Sequence, residues 1–367
     1  MNKYSKNRIR WIDVAKGLGI FYVVTGHVFF NDDVKSWLVS FHMPLFLFLS
    51  GYLFNYKKIK QLLISKTKTM IGPYCFFSVI SIIYYWLIEC RFRNLSYTVC
   101  QSIVGGILCY IPYMNNAPIW YLPCAFIIII LYDWIRIKIG STNTLLLGMV
   151  LNCLYWISGC QELLYQFPYE LPRILDLFVY YCIGVVIGEN RDYIENLFSK
   201  RDGTKGKMQL VGICIILYGV GFYLSQLELY VYPIMSIVMA FIGIIGTLCI
   251  SFAINNGFLC NVGKSSLFIL CTHSFLYRLI IGIVSKITHL SSNIIRGNIL
   301  YAFVIIIVTI LVCMELERIY NSIKGKTIHI CGGGVRGLTR DTEYLDLITF
   351  MTCIVSFFIR IDLFFYF

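Results

Sequence analysis

Hydrophobic positions run along this chain in long blocks. Apolar stretches of spanning length occur at about 12–31, 37–56, 69–88, 118–135, 144–160, 172–189, 208–226, 231–254, 264–283 and 299–316. A helix needs roughly 20 apolar residues to cross a hydrocarbon layer about 30 Å thick, so the pattern predicts about ten transmembrane helices. The fold class that follows is all-α, a polytopic membrane helix bundle. The polar residues between the blocks set its orientation. Basic residues cluster in alternate segments, from Lys3, Lys6, Arg8 and Arg10 through Lys57, Lys58, Lys60, Lys66 and Lys68 to Arg318, Lys324 and Lys326. The intervening segments hold only Lys35, Arg91, Arg93, Arg173, Lys286 and Arg296. This asymmetry places the N-terminus in the cytoplasm and favours an even number of helices.

Composition agrees with that picture. Of 367 residues, 58% are apolar and 14% charged, and the mean hydropathy is +0.74, a balance expected of a multi-pass protein in a lipid bilayer. Tyr and Phe, 27 of each, suit helix contacts and membrane interfaces. The net charge of +12 raises nucleic acid as a partner, but no basic stripe with interleaved aromatics occurs, so none is expected. The 15 cysteines lie mostly inside apolar runs without a CxxC pair and read as small buried hydrophobes; Cys90 and Cys160 fall near predicted outer ends, where pairing stays open. The first apolar block has no small-residue cleavage site and is expected to be a retained span.

Two segments interrupt the regular blocks. Residues 89–117 are long and partly apolar, with Gly105, Gly106 and Pro112, and are expected to form an outer re-entrant piece. Beyond Lys326 the pattern breaks down into a Gly-rich stretch and a short apolar tail containing Arg360 and Asp362. The chain therefore divides into a membrane domain, 1–326, and a linker with tail, 327–367. The glycine triplet there lacks the preceding strand and the following Lys-Ser/Thr of a phosphate loop.

The candidate chemistry lies in the first block, RWIDVAKGLGIFYVVTGH. Asp13, Lys16 and His27 sit in or beside an otherwise apolar helix, where ionisable residues are costly and usually face a polar interior. Lys16 and His27 are eleven residues apart, about three turns or 16.5 Å, so they share a face. A cation near the cytoplasmic mouth and an imidazole deep on one stripe suit the two ends of a long ligand. An imidazole with a pKa near 6.5 can take a proton from a hydroxyl, or carry an acyl group. Asp13 and Lys16, three apart, are close enough to pair. His273 is expected at a depth similar to that of His27, with His42 nearer the outside; the plain alternative for both is helix–helix hydrogen bonding. Lys66 and Lys68 precede a helix carrying Pro73, where their ammonium groups could meet phosphates. Gly51, beside Ser50, suggests close helix packing. No metal site is expected.

At these residues the chain resembles the acyltransferase-3 family of integral membrane acyltransferases. The segments carrying the likeness are IRWIDVAKGLGIFYVVTGH, SFHMPLFLFLSGYLF, KTKTMIGPY, APIWYLP and VGKSSLFILCTH, in family order over roughly residues 8–320. The wording is most similar to the short branch that includes fucose and exopolysaccharide O-acetyltransferases. The resemblance implies transfer of an acyl group, usually acetyl from acetyl-CoA in the cytoplasm, to a hydroxyl of an envelope polysaccharide or lipid-linked sugar, in a bacterial cytoplasmic membrane. It implies that His27 is the essential histidine, that Lys16, Lys66 and Lys68 bind the donor, and that Trp120 and His273 belong to the site. On that basis His27 and Asp13 are the catalytic candidates, and Lys16, Lys66, Lys68, His42, Trp120 and His273 the substrate-binding ones. Lys16 stands where many members carry Arg, and Lys264-Ser265 replaces the usual Asn-Ser. The rival expectation is a transporter or flippase of a small solute or lipid-linked sugar, which also needs buried polar residues; the absence of a visible internal repeat counts against it.

Overall fold

A computed structural model describes residues 8–90, 98–163, 166–227, 232–254 and 256–331. Every regular element among them is helical, and a helix stands over each of the ten apolar stretches. Helix α1 is Arg10–Val28 and α2 is Asp32–Tyr52. Helix α3, Ile59–Lys66, continues through a wider turn at Thr67–Ile71 into α4, Gly72–Tyr84. The widening has a cause in Pro73, which has no N–H for the carbonyl four residues back. The Gly72 N–H instead reaches the Thr67 oxygen, five residues back.

Helix α5, Val99–Leu108, opens with a capping box in which Thr98 and Gln101 bond each other's backbone. Helix α6, Tyr121–Ile157, carries two of the apolar stretches and breaks at Gly140, whose φ of 83° is strained for any residue with a Cβ. The rest are α7 Leu171–Glu189, α8 Arg191–Ser199, α9 Thr204–Gln226, α10 Pro233–Ala253 and α11 Gly257–Lys264. Then come α12 Ser266–Thr288, α13 Ser292–Gly297 and α14 Ile299–Cys331. Among the described residues, seven helices are long and apolar enough to cross a membrane, with the two halves of α6 counted together. Helices α1 and α2 miss that standard because of their polar residues, Asp13, Lys16 and His27 on one and Asp32, Asp33, Lys35 and His42 on the other.

The packing explains the glycines. On α7, Gly184 and Gly188 lie four apart, and a Cβ on either would collide with backbone of α2 at Phe48 or Tyr52. In return a Cβ on Gly51 would meet the Tyr181 carbonyl of α7. Small residues let the two backbones touch, which is how helices associate where lipid removes the hydrophobic drive. Helix α1 holds the centre, packed against α2, α10, α11, α12 and α14, with Ile20, Val23, Val24 and Val28 fully buried. Beyond α5, short turns at Ile111–Tyr113 and Ala117–Trp120 lead back against α12. Cys90 and Cys160 are both free thiols. Helix α14 runs past the expected boundary at residue 326 to Cys331, and the tail 332–367 lies outside the described residues, as do 91–97 of the expected re-entrant piece.

Candidate active site

The polar residues of α1 fall at two ends of one helix. At the basic end, Asp13 is buried and pairs with Arg8 at 3.3 Å. That replaces the expected Asp13–Lys16 pair, because Arg8 lies just before the helix and can fold back onto the carboxylate. Lys16 is half-buried and lines two adjoining cavities. One, of about 840 Å³, is bounded by Arg8, Asp13, Asn55, Tyr56, Glu189 and Arg191 among others. The second, of about 320 Å³, is lined by Lys16, Lys57 and Lys66 with Phe46, Ser50, Asn55 and Tyr181, and among the described residues no carboxylate is in its wall. Lys68 is exposed and lines neither cavity, since two residues along the wide turn put it on another face. Lys57, treated in the sequence only as part of a basic run, takes the place beside Lys66.

What holds Lys16 in the wall is a backbone contact. A Cβ on Gly17 would collide with the Leu259 carbonyl, and one on Gly263 with the Asp13 carbonyl. Helices α1 and α11 therefore meet backbone to backbone between Asp13 and Gly17. Further along, a Cβ on Gly19 would lie 3.1 Å from the ring tip of Phe46, and Phe46 also borders the second cavity. His27 lines neither cavity; from Gly19, where the Phe46 ring packs on α1, to His27 is eight residues, about 12 Å.

At the other end of α1, the His27 and His273 rings lie 5.3 Å apart, centre to centre, tilted by 47°. The depth argument that paired them in sequence thus corresponds to a direct approach between α1 and α12. His273 has no exposed surface, while His27 is half-buried. The Nδ1–H of His273 donates to the carbonyls of Ile269 at 2.9 Å and Leu270 at 3.0 Å. That fixes its tautomer and leaves Nε2 an acceptor, with no bonding partner among the described residues. His42 is locked in the same manner, its Nδ1–H donating to Leu38 at 2.6 Å. His42, on α2, is buried. Trp120 is buried, with the Arg173 guanidinium 4.2 Å from its ring centre, a cation–π contact.

The sequence reading missed an ion pair made from α12, the helix that carries His273. Arg278, on α12, pairs with Glu89 at 2.8 Å, and their side chains are 14% and 4% exposed. Its guanidinium also donates to the Ser274 carbonyl and hydroxyl and to the Asn115 carbonyl. Asn116 donates to the Cys271 carbonyl at 2.7 Å, so the segment before α6 is stitched to the turn of α12 that carries His273. Arg278 lies inside the 264–283 block, where the rule that marks ionisable residues in apolar stretches applies to it; Glu89 stands one residue past the 69–88 block, where a polar residue is ordinary. Among the described residues no group of three or more His, Cys, Asp or Glu is placed to hold a metal.

The fold and this site define a multi-pass membrane protein in which one helix joins a basic cavity to a close pair of imidazoles, His27 half-buried and His273 buried. A family model described as an acyltransferase domain, that of acyltransferase-3, matches residues 9–318, and the chain belongs to that family. It is a membrane acyltransferase. No curated protein and no solved structure matched the chain.

Proposed function

We propose that this acyltransferase moves an acyl group, acetyl in the first instance, from cytoplasmic acyl-coenzyme A to a hydroxyl of a cell-envelope glycan or glycolipid, as the fucose and exopolysaccharide branch of the family would. The observation that carries the reading is the order of groups along α1. A cavity with three lysines and, among the described residues, no carboxylate opens at one end, and two imidazoles face each other at the other. Phosphates of the donor suit the first, because each ammonium makes charge-assisted bonds to phosphate oxygens. Lys16, Lys57 and Lys66 would hold them, with Asp13 anchored by Arg8 behind Lys16. The basic end is then the cytoplasmic one, which agrees with the distribution of positive charge.

The pantetheine arm would follow α1 from Lys16 toward His27, displacing the Phe46 ring on the way. At the imidazoles, the acceptor oxygen attacks the thioester carbonyl carbon, the carbon–sulfur bond breaks, and the hydroxyl proton passes through an imidazole to the departing thiolate. His27 is the base in this scheme, or accepts the acyl group first and passes it on. The locked tautomer of His273 offers its bare Nε2 as a hydrogen-bond acceptor for the sugar hydroxyl, with His42 and Trp120 on the acceptor side.

The test compares incorporation of labelled acetyl from acetyl-coenzyme A into envelope glycan by native protein and by His27→Ala at equal expression. Loss of transfer is expected, and retained transfer would remove His27 from the reaction. The transporter reading predicts a different result from purified protein in vesicles, namely solute movement without turnover of acetyl-coenzyme A.

A further inference from the structure

The sequence assigns Arg296 to an outer loop and gives it no role beyond topology. In the structure it reaches back to the helix that carries His27. Its Nη2 donates to the His27 carbonyl at 2.9 Å and its Nε to the Val28 carbonyl at 3.1 Å. The last four carbonyls of a helix have no partner within it. Here the Thr25 carbonyl takes the Phe29 N–H, and Arg296 takes the two that follow Gly26. The connection is also made in reverse, since the Phe30 N–H donates to the Arg296 carbonyl at 2.9 Å. The Phe30 ring lies 5.1 Å from the guanidinium.

Helix α13 makes this clasp stiff. Ser291 caps its first turn through the Ile294 N–H, and Ile295, the neighbour of Arg296, is fully buried. The arginine is thus presented from an anchored turn. Two donors on one planar fork fix both the position and the rotation of the helix end, which a lysine ammonium cannot do. The same turn of α1 bears the imidazole whose ring faces His273.

We propose that Arg296 is a positioning residue for His27: by binding the carbonyls of His27 and Val28 it sets the distance and tilt of the His27 ring against His273. The inference rests on the proposed role of His27 in acyl transfer, so one arm of its test does not depend on that role. In that arm, purified native protein, Arg296→Gln and Arg296→Lys are treated with diethyl pyrocarbonate, and modification of the His27 peptide is timed by mass spectrometry. His289, which is exposed, serves as the internal reference. The rate at His27 relative to His289 changes in the Gln variant and lies between native and Gln in the Lys variant. An unchanged ratio in both variants overturns the proposal.

In the second arm, kcat for transfer falls on the order of 10²-fold in Arg296→Gln while KM for the donor holds, because a displacement of about 1 Å at a reacting group has that cost. Rise of the donor KM with kcat unchanged also overturns the positioning role. A role confined to holding the fold would lower thermal stability and leave the reactivity ratio and kcat of the folded fraction at their native values. If Arg296→Gln does not accumulate, the Lys variant carries both arms with the same outcomes. A changed His27 ratio in a protein whose native form transfers no acyl group would uphold the clasp and sink the acyltransfer scheme instead.

Discussion

The two ends of α1 are built on opposite principles. Around Lys16, α1 touches α11, yet cavities of about 840 and 320 Å³ remain beside it, and the cations in their walls are exposed or half-buried. Around His27 and His273 the helices close up, and guanidinium groups, carbonyls and amides are bonded to one another across α1, α12, α13 and the segment before α6. A charge recognised through space tolerates some motion, whereas a reacting atom does not. Under the proposed reaction, recognition falls to the loose end and chemistry to the tight one.

The sharpest way to break that assignment is at the imidazole. His27→Ala is expected to reduce acyl transfer by about 10²–10⁴-fold, the usual contribution of a positioned acid or base, measured as labelled acetyl in envelope glycan. Next comes the backbone contact of α1 with α11 at the basic end. Gly263→Val is expected to prevent accumulation of folded protein, because its Cβ would collide with the Asp13 carbonyl and overpacking of rigid backbone costs about 3 kcal/mol or more; fluorescence-detected gel filtration in detergent would read this.

Third, Glu89→Ala leaves Arg278 buried without its carboxylate, a loss of about 3 kcal/mol at the low end of the usual range, since Ser274 and Asn115 still accept from it. A thermal unfolding curve in detergent that matched the native one would show the tight end to be less interdependent than its bonds imply.

The smallest effects are expected at the loose end. Lys66→Ala should raise KM for the donor about tenfold with little change in kcat, as loss of one charge-assisted bond does. Lys68→Ala, at an exposed position outside both cavities, should leave KM unchanged. Equal effects of the two lysines would mean that the cavity is not what selects between them.

Much of this was legible from residue order. Long apolar blocks have one comfortable structure in lipid, so every expected stretch became a helix, and Gly51 marked a true backbone contact. Counting depth from the basic boundary brought His27 and His273 to one level, because helix rise is constant. The contacts that depend on side-chain direction were not legible. Lys66 and Lys68 look equivalent in KTKTMIGP, and it takes the wide turn before Pro73 to turn one toward the cavity and the other away. Arg296 was hidden for a related reason. An arginine near the end of an apolar block serves topology equally well whether it points to water or folds inward to a carbonyl, and periodicity cannot separate the two.

The contact of Gly17 with α11 has a consequence for substrate choice. With its backbone packed against a neighbour, α1 holds the backbone positions of Lys16 and His27 about three helical turns apart, like the jaws of a caliper. Under the proposed reaction it accepts donors by length: a carrier with its phosphates and thioester at the two ends of a long arm spans the jaws, whereas a compact activated acyl compound such as acetyl phosphate fills one jaw and never touches the other.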